Sequence, residues 1–135
     1  MAGAEIALRA LPAAEFDAFT QQARSAFTDT TWSVTNHANR MGYRLSGETL
    51  SLVSPLELLS HGIVPGVVQV PPAGQPIIQL TEANTCGGYP KIATVIEADL
   101  WRIGQATPGD ELRFAVTSRA EALRVGLVFV LVSWA

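Results

Sequence analysis

The feature that most constrains this chain is a series of short β-rich runs separated by proline- and glycine-rich turns. GVVQV (Gly66–Val70) and PIIQL (Pro76–Leu80) are runs of five residues joined by PPAGQ. In that linker proline fixes φ and Gly74 can take a positive φ, so the two runs read as a hairpin or a close strand-loop-strand. KIATVI (Lys91–Ile96) is a further strand, and TPGDELRFAV opens on a Pro-Gly turn and continues as another. TTWSVT alternates Trp32 and Val34 with small polar residues, as a half-buried strand does. NHANRMGYRLSG reads as a loop, a short strand around Tyr43–Leu45 and a turn at Ser46-Gly47. Many short strands create many exposed edges, and a closed or nearly closed small barrel is the arrangement that protects them.

Helical texture is limited. LPAAEFDAFTQQARSAF places Phe16, Phe19, Ala23, Ala26 and Phe27 at helical spacings, which predicts one amphipathic helix near the N-terminus. EADLWRIGQ suits one or two helical turns, and SRAEALR starts a short helix at an N-capping Ser118. No repeat or linker divides the chain, so residues 1–135 read as a single, mainly β domain.

Composition excludes several function classes. Hydrophobic residues make up 48% and charged residues 16%, which describes a packed chain, and the net charge of −3 with scattered cations offers no footprint for nucleic acid. A single cysteine and an N-terminus without a signal-peptide pattern fit a cytoplasmic protein. The apolar tail VGLVFVLVSWA is too short for a spanning helix, which needs roughly 20 residues, so no membrane partner is expected.

The run NTCGGYPKIATVI (Asn84–Ile96) concentrates the unusual residues: the only cysteine, the only Gly-Gly pair and the only lysine. A nucleophilic Cys86 would need a base, and His37 and His61 are both distant in sequence. A lone cysteine in a half-apolar chain is more often a small buried residue. Lys91 follows Pro90 and precedes β-branched residues, so the loop enters a strand and is no P-loop. Gly87-Gly88 either lets an anion or carboxylate approach main-chain N–H groups or simply turns the chain. His37, His61, Cys86 and the acids show no metal-ligand spacing, and Glu82, Glu97, Asp99, Asp110 and Glu111 sit where helix and turn residues usually do. Arg40 and Arg44 flank MGY and have the reach to clamp a carboxylate, although surface arginines are ordinarily solvated.

Three blocks in order, NRMGYRLSG (Asn39–Gly47), LLSHGIVPGVVQVPPAGQPIIQL (Leu58–Leu80) and TCGGYPKIATVIEADL (Thr85–Leu100), resemble the carboxyltransferase-domain family. That family includes the C-type subunit of 5-oxoprolinase, allophanate hydrolase subunit 2, the Kip-like antagonists of a kinase inhibitor and the carboxyltransferase region of urea carboxylase. The resemblance runs from about Ile6 to Leu123, corresponds to the C-terminal half of such proteins, and implies a cyclophilin-like small β-barrel. The family loop reads Gln-Thr-Thr-Gly-Gly-Tyr-Pro where this chain has Asn84-Thr85-Cys86-Gly87-Gly88-Tyr89-Pro90. Cysteine at a threonine position argues against a required thiolate.

By resemblance, the chain is a subunit or domain of an assembly that opens a cyclic amide with ATP or moves a carboxyl group between biotin and an amide such as urea. It is expected to be incomplete alone, as part of an amide hydrolase or carboxyltransferase. The implied substrate-binding residues are Asn84, Thr85, Gly87, Gly88, Tyr89 and Lys91, with Arg40, Gln69 and Gln75 as neighbours. No cofactor is assigned to this chain itself; biotin or ATP belongs to the full assembly. The implied partners are a sister subunit, of the B-type 5-oxoprolinase, allophanate hydrolase subunit 1 or Kip-inhibitor kind, and a LamB/YcsF-type subunit. The alternative implied by the antikinase branch is a non-catalytic module that modulates a histidine kinase. A prolyl-isomerase role rests on fold analogy alone, and fold does not carry function.

Overall fold

The computed structural model describes residues 5–36, 42–56, 58, 62–80, 83–84 and 88–124, with the backbone alone at 62–63 and 83–84. Its strands are β1 (Glu5–Pro12), β2 (Trp32–Val34), β3 (Gly42–Ser46), β4 (Gly62–Ile63), β5 (Val67–Gln69), β6 (Ile77–Gln79), β7 (Ala83–Asn84), β8 (Lys91–Val95) and β9 (Glu111–Val116). Seven of them close a barrel in the order β1-β8-β5-β6-β3-β2-β9, while β4 and β7 form a separate two-stranded ribbon. Strands that alternate in direction cannot close a ring of odd number, so one neighbouring pair must run parallel. That pair is β1 and β9, in register from Glu5 opposite Glu111 to Ala10 opposite Val116. Every other barrel pairing is antiparallel. Closure leaves none of the seven barrel strands with a free edge, as the turn-punctuated sequence requires.

The interior is filled by the inward row of each strand, with Leu8, Trp32, Leu45, Ile78, Ile92 and Leu112 almost fully buried. The expected hairpin joins β5 and β6, with Val68 opposite Ile78. Gly74 takes φ +87° in its turn, and a Cβ there would lie 2.5 Å from Cγ2 of Thr49. The β4–β7 ribbon pairs Gly62 with Asn84 and Ile63 with Ala83, the same register that sets Val68 opposite Ile78. The two pieces are therefore one long hairpin interrupted at 64–66, where Gly66 takes φ +92° and its N–H reaches the carbonyl of Gln79 at 2.8 Å.

The N-terminal helix is shorter than its hydrophobic spacing predicts. Leu11 and Pro12 end β1, Phe16–Ala18 is a single 3₁₀ turn, and Phe19 bridges to Leu52. Only α1 (Gln21–Asp29) is α-helical. The break is at Thr20, which is extended and whose Oγ1 accepts from the N–H of Ala23 at 3.0 Å, capping the helix where the pattern would have continued it. The apolar spacing is a burial signal all the same: Phe19, Ala23 and Phe27 are all core residues, and Phe27 stacks on Phe114 with centroids 4.4 Å apart. Trp32 donates Nε1–H to the carbonyl of Phe27 at 3.0 Å, so the largest buried side chain leaves no polar atom unpaired at the helix end. After β8 come a 3₁₀ turn (Glu97–Asp99) and α2 (Leu100–Ile103). Residues 119–124 are helical, and Ser118 Oγ caps them by accepting from the N–H of Glu121. The apolar tail 125–135 lies outside the described residues.

Asp99, expected to be an ordinary turn residue, is instead a buried clasp. Its carboxylate accepts from the backbone N–H of Arg9 at 2.8 Å, from Nε at 2.9 Å and from a terminal guanidinium nitrogen at 2.7 Å. Arg102 Nε stands 3.8 Å away. Burial raises the carboxyl pKa, but the hydrogen bonds and charge of Arg9, with the charge of Arg102, outweigh it and hold the group below its ordinary value of 3.8. A depressed folded-state pKa stabilises the fold at pH values above the unfolded pKa and ceases to do so as pH falls through the folded one. Asp99→Asn is expected to lower stability at neutral pH by about 1–3 kcal/mol, less than for a fully buried pair because the Arg9 side chain is 37% exposed. Urea melts at pH 7 and below pH 4 check this: the difference between variant and wild type shrinks at the acid end.

Candidate functional site

Register sorts side chains onto the two faces of the barrel wall. Tyr43, Ile78, Val68 and Ala93 are paired across β3, β6, β5 and β8 and point into the core. The alternate row therefore faces outward: Gly42 and Arg44 on β3, Gln79 and Ile77 on β6, Val67 and Gln69 on β5, and Thr94 on β8. Two of the expected binding residues, Gln69 and Lys91, are paired with one another across a register shift between Val68 and Gln69. The Gly-Gly-Tyr-Pro loop leaves the β4–β7 ribbon at Asn84 and re-enters the barrel at Lys91, so it returns to the same wall. Its last residue is tied there by the N–H of Val70, which donates to the carbonyl of Pro90 at 2.9 Å.

Gln69 faces outward and is nevertheless only 1% exposed. Its Oε1 accepts from Nε2 of Gln79 at 2.9 Å, whereas its own Nε2 has no partner among the described residues. A buried donor left without a partner costs about 1–3 kcal/mol, so such a group calls for an explanation. Lys91 is largely buried beside Glu15: Oε1 of Glu15 accepts from the Lys91 backbone N–H at 2.9 Å and stands 3.6 Å from its Nζ. The N–H of Glu15 donates in turn to the Lys91 carbonyl at 3.2 Å. The ammonium is thus held in place by a carboxylate from the segment that follows β1.

Gly88 and Pro90 are buried and Tyr89 is exposed. All three line a groove of about 530 Å³ whose other walls are Thr49–Leu56, Val70, Pro71 and Pro72, with Phe19 beneath. No charged side chain lines it among the described residues. Gln75 has a different setting. Its Oε1 accepts from the N–H of Gly47 at 2.9 Å, and its Nε2 donates to the carbonyls of Gly47 at 3.2 Å and Glu48 at 3.4 Å. Its carboxamide is therefore engaged in holding the turn after β3. Arg40, Thr85, Gly87, Cys86, His37 and His61 lie outside the described residues, as does the side chain of Asn84. Among the described residues no group of three or more His, Cys, Asp or Glu is placed to hold a metal ion, and no helix is long and apolar enough to cross a membrane.

Sequence reasoning misses Gln79 and Glu15. The alternation of PIIQL, with Ile78 in the core, is the signal that puts Gln79 on the outer face. Nothing local signals Glu15, whose partner is distant in the chain. Taken together, the wall presents two hydrogen-bonded carboxamides and one cation already paired.

Comparison with known proteins agrees with this architecture. The family described as "Carboxyltransferase domain, subdomain A and B" matches residues 2–116. The C-type subunit of 5-oxoprolinase from Escherichia coli (strain K12) is 46% identical over 117 residues, covering 87% of this chain and 38% of that protein. Its counterpart from Haemophilus influenzae is 47% identical over 118 residues, with the same coverage of 87% and 38%. The chain thus spans less than two fifths of the length of these curated relatives. Among solved structures, the urea amidolyase of K. lactis superposes with a TM-score of 0.84 over 96% of this chain and 8% of its own, at 23% identity, a likeness of fold.

The three hydrogen bonds of Gln75 make a testable distinction between support and binding. Gln75→Leu is expected to lower stability by about 1–2 kcal/mol, since its partners are backbone groups near the surface that water partly satisfies. Thermal and urea melts measure this; an unchanged melt contradicts the bracing role.

Proposed function

Since the chain belongs to the carboxyltransferase-domain family, subdomains A and B, we propose that it is the amide-recognising part of a 5-oxoprolinase-type assembly. The observation that carries this reading is the 46% and 47% identity to two proteins, each the C-type subunit of a 5-oxoprolinase, across 87% of the chain. The geometry is in keeping with it. The lactam group is planar, uncharged and rich in hydrogen-bonding atoms, and carboxamides match its donor and acceptor.

Opening a lactam moves negative charge onto the carbonyl oxygen. Donors fixed near that oxygen stabilise the charge as it develops, and preorganised donors need no rearrangement at the moment of reaction. Gln69 Nε2 is a donor of this kind, held by its neighbours and unpaired among the described residues. Lys91, fixed by Glu15, adds a positive charge on the strand residue paired with Gln69. Gly88 in the returning loop is buried and takes φ +30°, a conformation that favours glycine. The groove beside Tyr89 has no cation among its described residues and does not fit a triphosphate. The nucleotide site of such an assembly accordingly lies on another part, and the present residues bind and orient the amide. Partner subunits of the same family and of the LamB/YcsF type supply the rest.

The test is reconstitution. The chain is mixed with the remaining components of a 5-oxoprolinase-type assembly, and ATP-dependent ring opening of 5-oxoproline is followed. Gln69→Leu and Lys91→Ala are each expected to lower the rate by roughly 10- to 1000-fold, the range found for removal of one donor near a developing oxyanion, and Asn84→Ala is expected to lower it as well. Full activity in Asn84→Ala and Lys91→Ala removes the site assignment. Turnover of urea or allophanate in place of 5-oxoproline removes the substrate.

A further inference from the structure

We propose that Glu15 decides which end of the substrate meets Lys91, by denying the ammonium to a carboxylate. The inference rests on the amide-binding reading above and names the residue that orients the ligand. 5-Oxoproline carries an acceptor on either side of its ring nitrogen, a neutral lactam carbonyl and an ionised carboxylate. A cation given the choice prefers the full negative charge. Lys91 without Glu15 would draw in the carboxylate and turn the reacting carbonyl away.

The main chain fixes the Glu15 carboxylate. Its Oε1 accepts from the Lys91 backbone N–H at 2.9 Å. The N–H of Glu15 donates to the Lys91 carbonyl at 3.2 Å, and its carbonyl accepts from the N–H of Ala18 at 3.0 Å. Lys91 Nζ stands 3.6 Å from the same Oε1, within ion-pairing range and beyond hydrogen-bonding distance. The negative charge therefore keeps its place whether or not the ammonium leans on it. A neutral acceptor would serve that backbone N–H as well, so the hydrogen bond alone does not call for a carboxylate. The charge has a second effect, which is to balance that of the chain's only lysine. With 21% of the Lys91 side chain and 13% of the Glu15 side chain exposed, the pair is weakly screened and still open to small solutes. A second carboxylate brought to the ammonium also meets Glu15, and like charges side by side are how a site rejects the wrong ligand. A lactam carbonyl has no net charge to be repelled and accepts from the ammonium beside Glu15.

Because the chain has a single lysine, labelling with [¹⁵N]lysine yields one backbone amide signal and one ammonium signal, both from Lys91. The full chain is titrated with probes of one ring size: 2-pyrrolidinone has only the lactam, cyclopentanecarboxylate only the carboxylate, and 5-oxoproline both. In the wild type, 2-pyrrolidinone and 5-oxoproline move the Lys91 signals and cyclopentanecarboxylate does not. Glu15→Gln keeps an acceptor for the backbone N–H and removes the charge. It is expected to bind cyclopentanecarboxylate about tenfold or more tightly than the wild type does, the strength of one charge-assisted hydrogen bond, while its affinity for 2-pyrrolidinone changes by less than about threefold. Glu15→Asp keeps the charge and is expected to reject cyclopentanecarboxylate. In the reconstituted assembly Glu15→Gln lowers kcat and KM for 5-oxoproline together, since the ligand binds more tightly in the unreactive sense; loss of a merely structural contact would not lower KM.

Equal binding of cyclopentanecarboxylate by the wild type and Glu15→Gln overturns the proposal, as does its uptake by Glu15→Asp. If Glu15→Gln gains the carboxylate but neither lactam moves the wild-type signals, the 5-oxoproline reading falls and the exclusion of anions by Glu15 stands. Should Glu15→Gln fail to fold, Glu15→Ala admits water beside the ammonium and is read in the same way.

Discussion

The parallel pairing of β1 with β9 is the constraint on which the rest of the molecule depends. A ring of seven strands needs one parallel neighbour pair, and this one joins nearly the two ends of the described chain. Without it β1 and β9 would each present a bare edge, and the inward rows led by Leu8, Leu112 and Phe114 would lose the wall that covers them. A parallel seam has slanted bonds and somewhat less stability per residue than an antiparallel one. The Arg9–Asp99 clasp reinforces it from the side, because Arg9 lies on β1 within the seam while Asp99 belongs to the turn after β8. Three hydrogen bonds to one buried carboxylate fix β1 against its other neighbour as well.

Closure is also what gives the candidate site its rigidity. Once the interior is filled, the outward row of β6 and β5 has no freedom to slip, since a one-residue slip would turn Ile78 and Val68 out of the core. Gln79 and Gln69 are therefore held by the packing of their neighbours on the opposite face. The Gly-Gly-Tyr-Pro loop is anchored to the same wall by one end of a long hairpin and by the Val70–Pro90 hydrogen bond. The proposed site thus sits on strands, where side-chain positions are more exact than on loops, with the loop brought to them.

Much of the fold is legible in the sequence wherever the signal is local. The strands around Trp32, Tyr43, Val67, Ile77 and Lys91 show β-branched or aromatic alternation between turns, and the place of Gly74 after Pro-Pro-Ala marks it as a positive-φ position. β1 is not legible as a strand, because EIALRALP carries alanine and leucine, which suit a helix as well; only its pairing with β9 decides the matter. The periodic pattern finds α1 but starts it too early, since Thr20 looks like one more polar residue in the period and acts as a cap. Residues whose role is a partnership across the fold are out of reach: Asp99 with Arg9, Glu15 with Lys91, and Gln79 with Gln69. Gln69 enters the candidate site through family resemblance, and the geometry adds a physical description, a buried carboxamide with one end unused.

The central claim is that this wall recognises a small planar amide through its carbonyl. Isothermal calorimetry of the chain with 5-oxoproline and, separately, with proline compares two ligands of the same ring size and carboxylate, one a lactam and the other a methylene with a protonated ring amine. The account predicts saturable binding of 5-oxoproline and none of proline at the same concentration. Equal binding of both, or binding of proline alone, contradicts it.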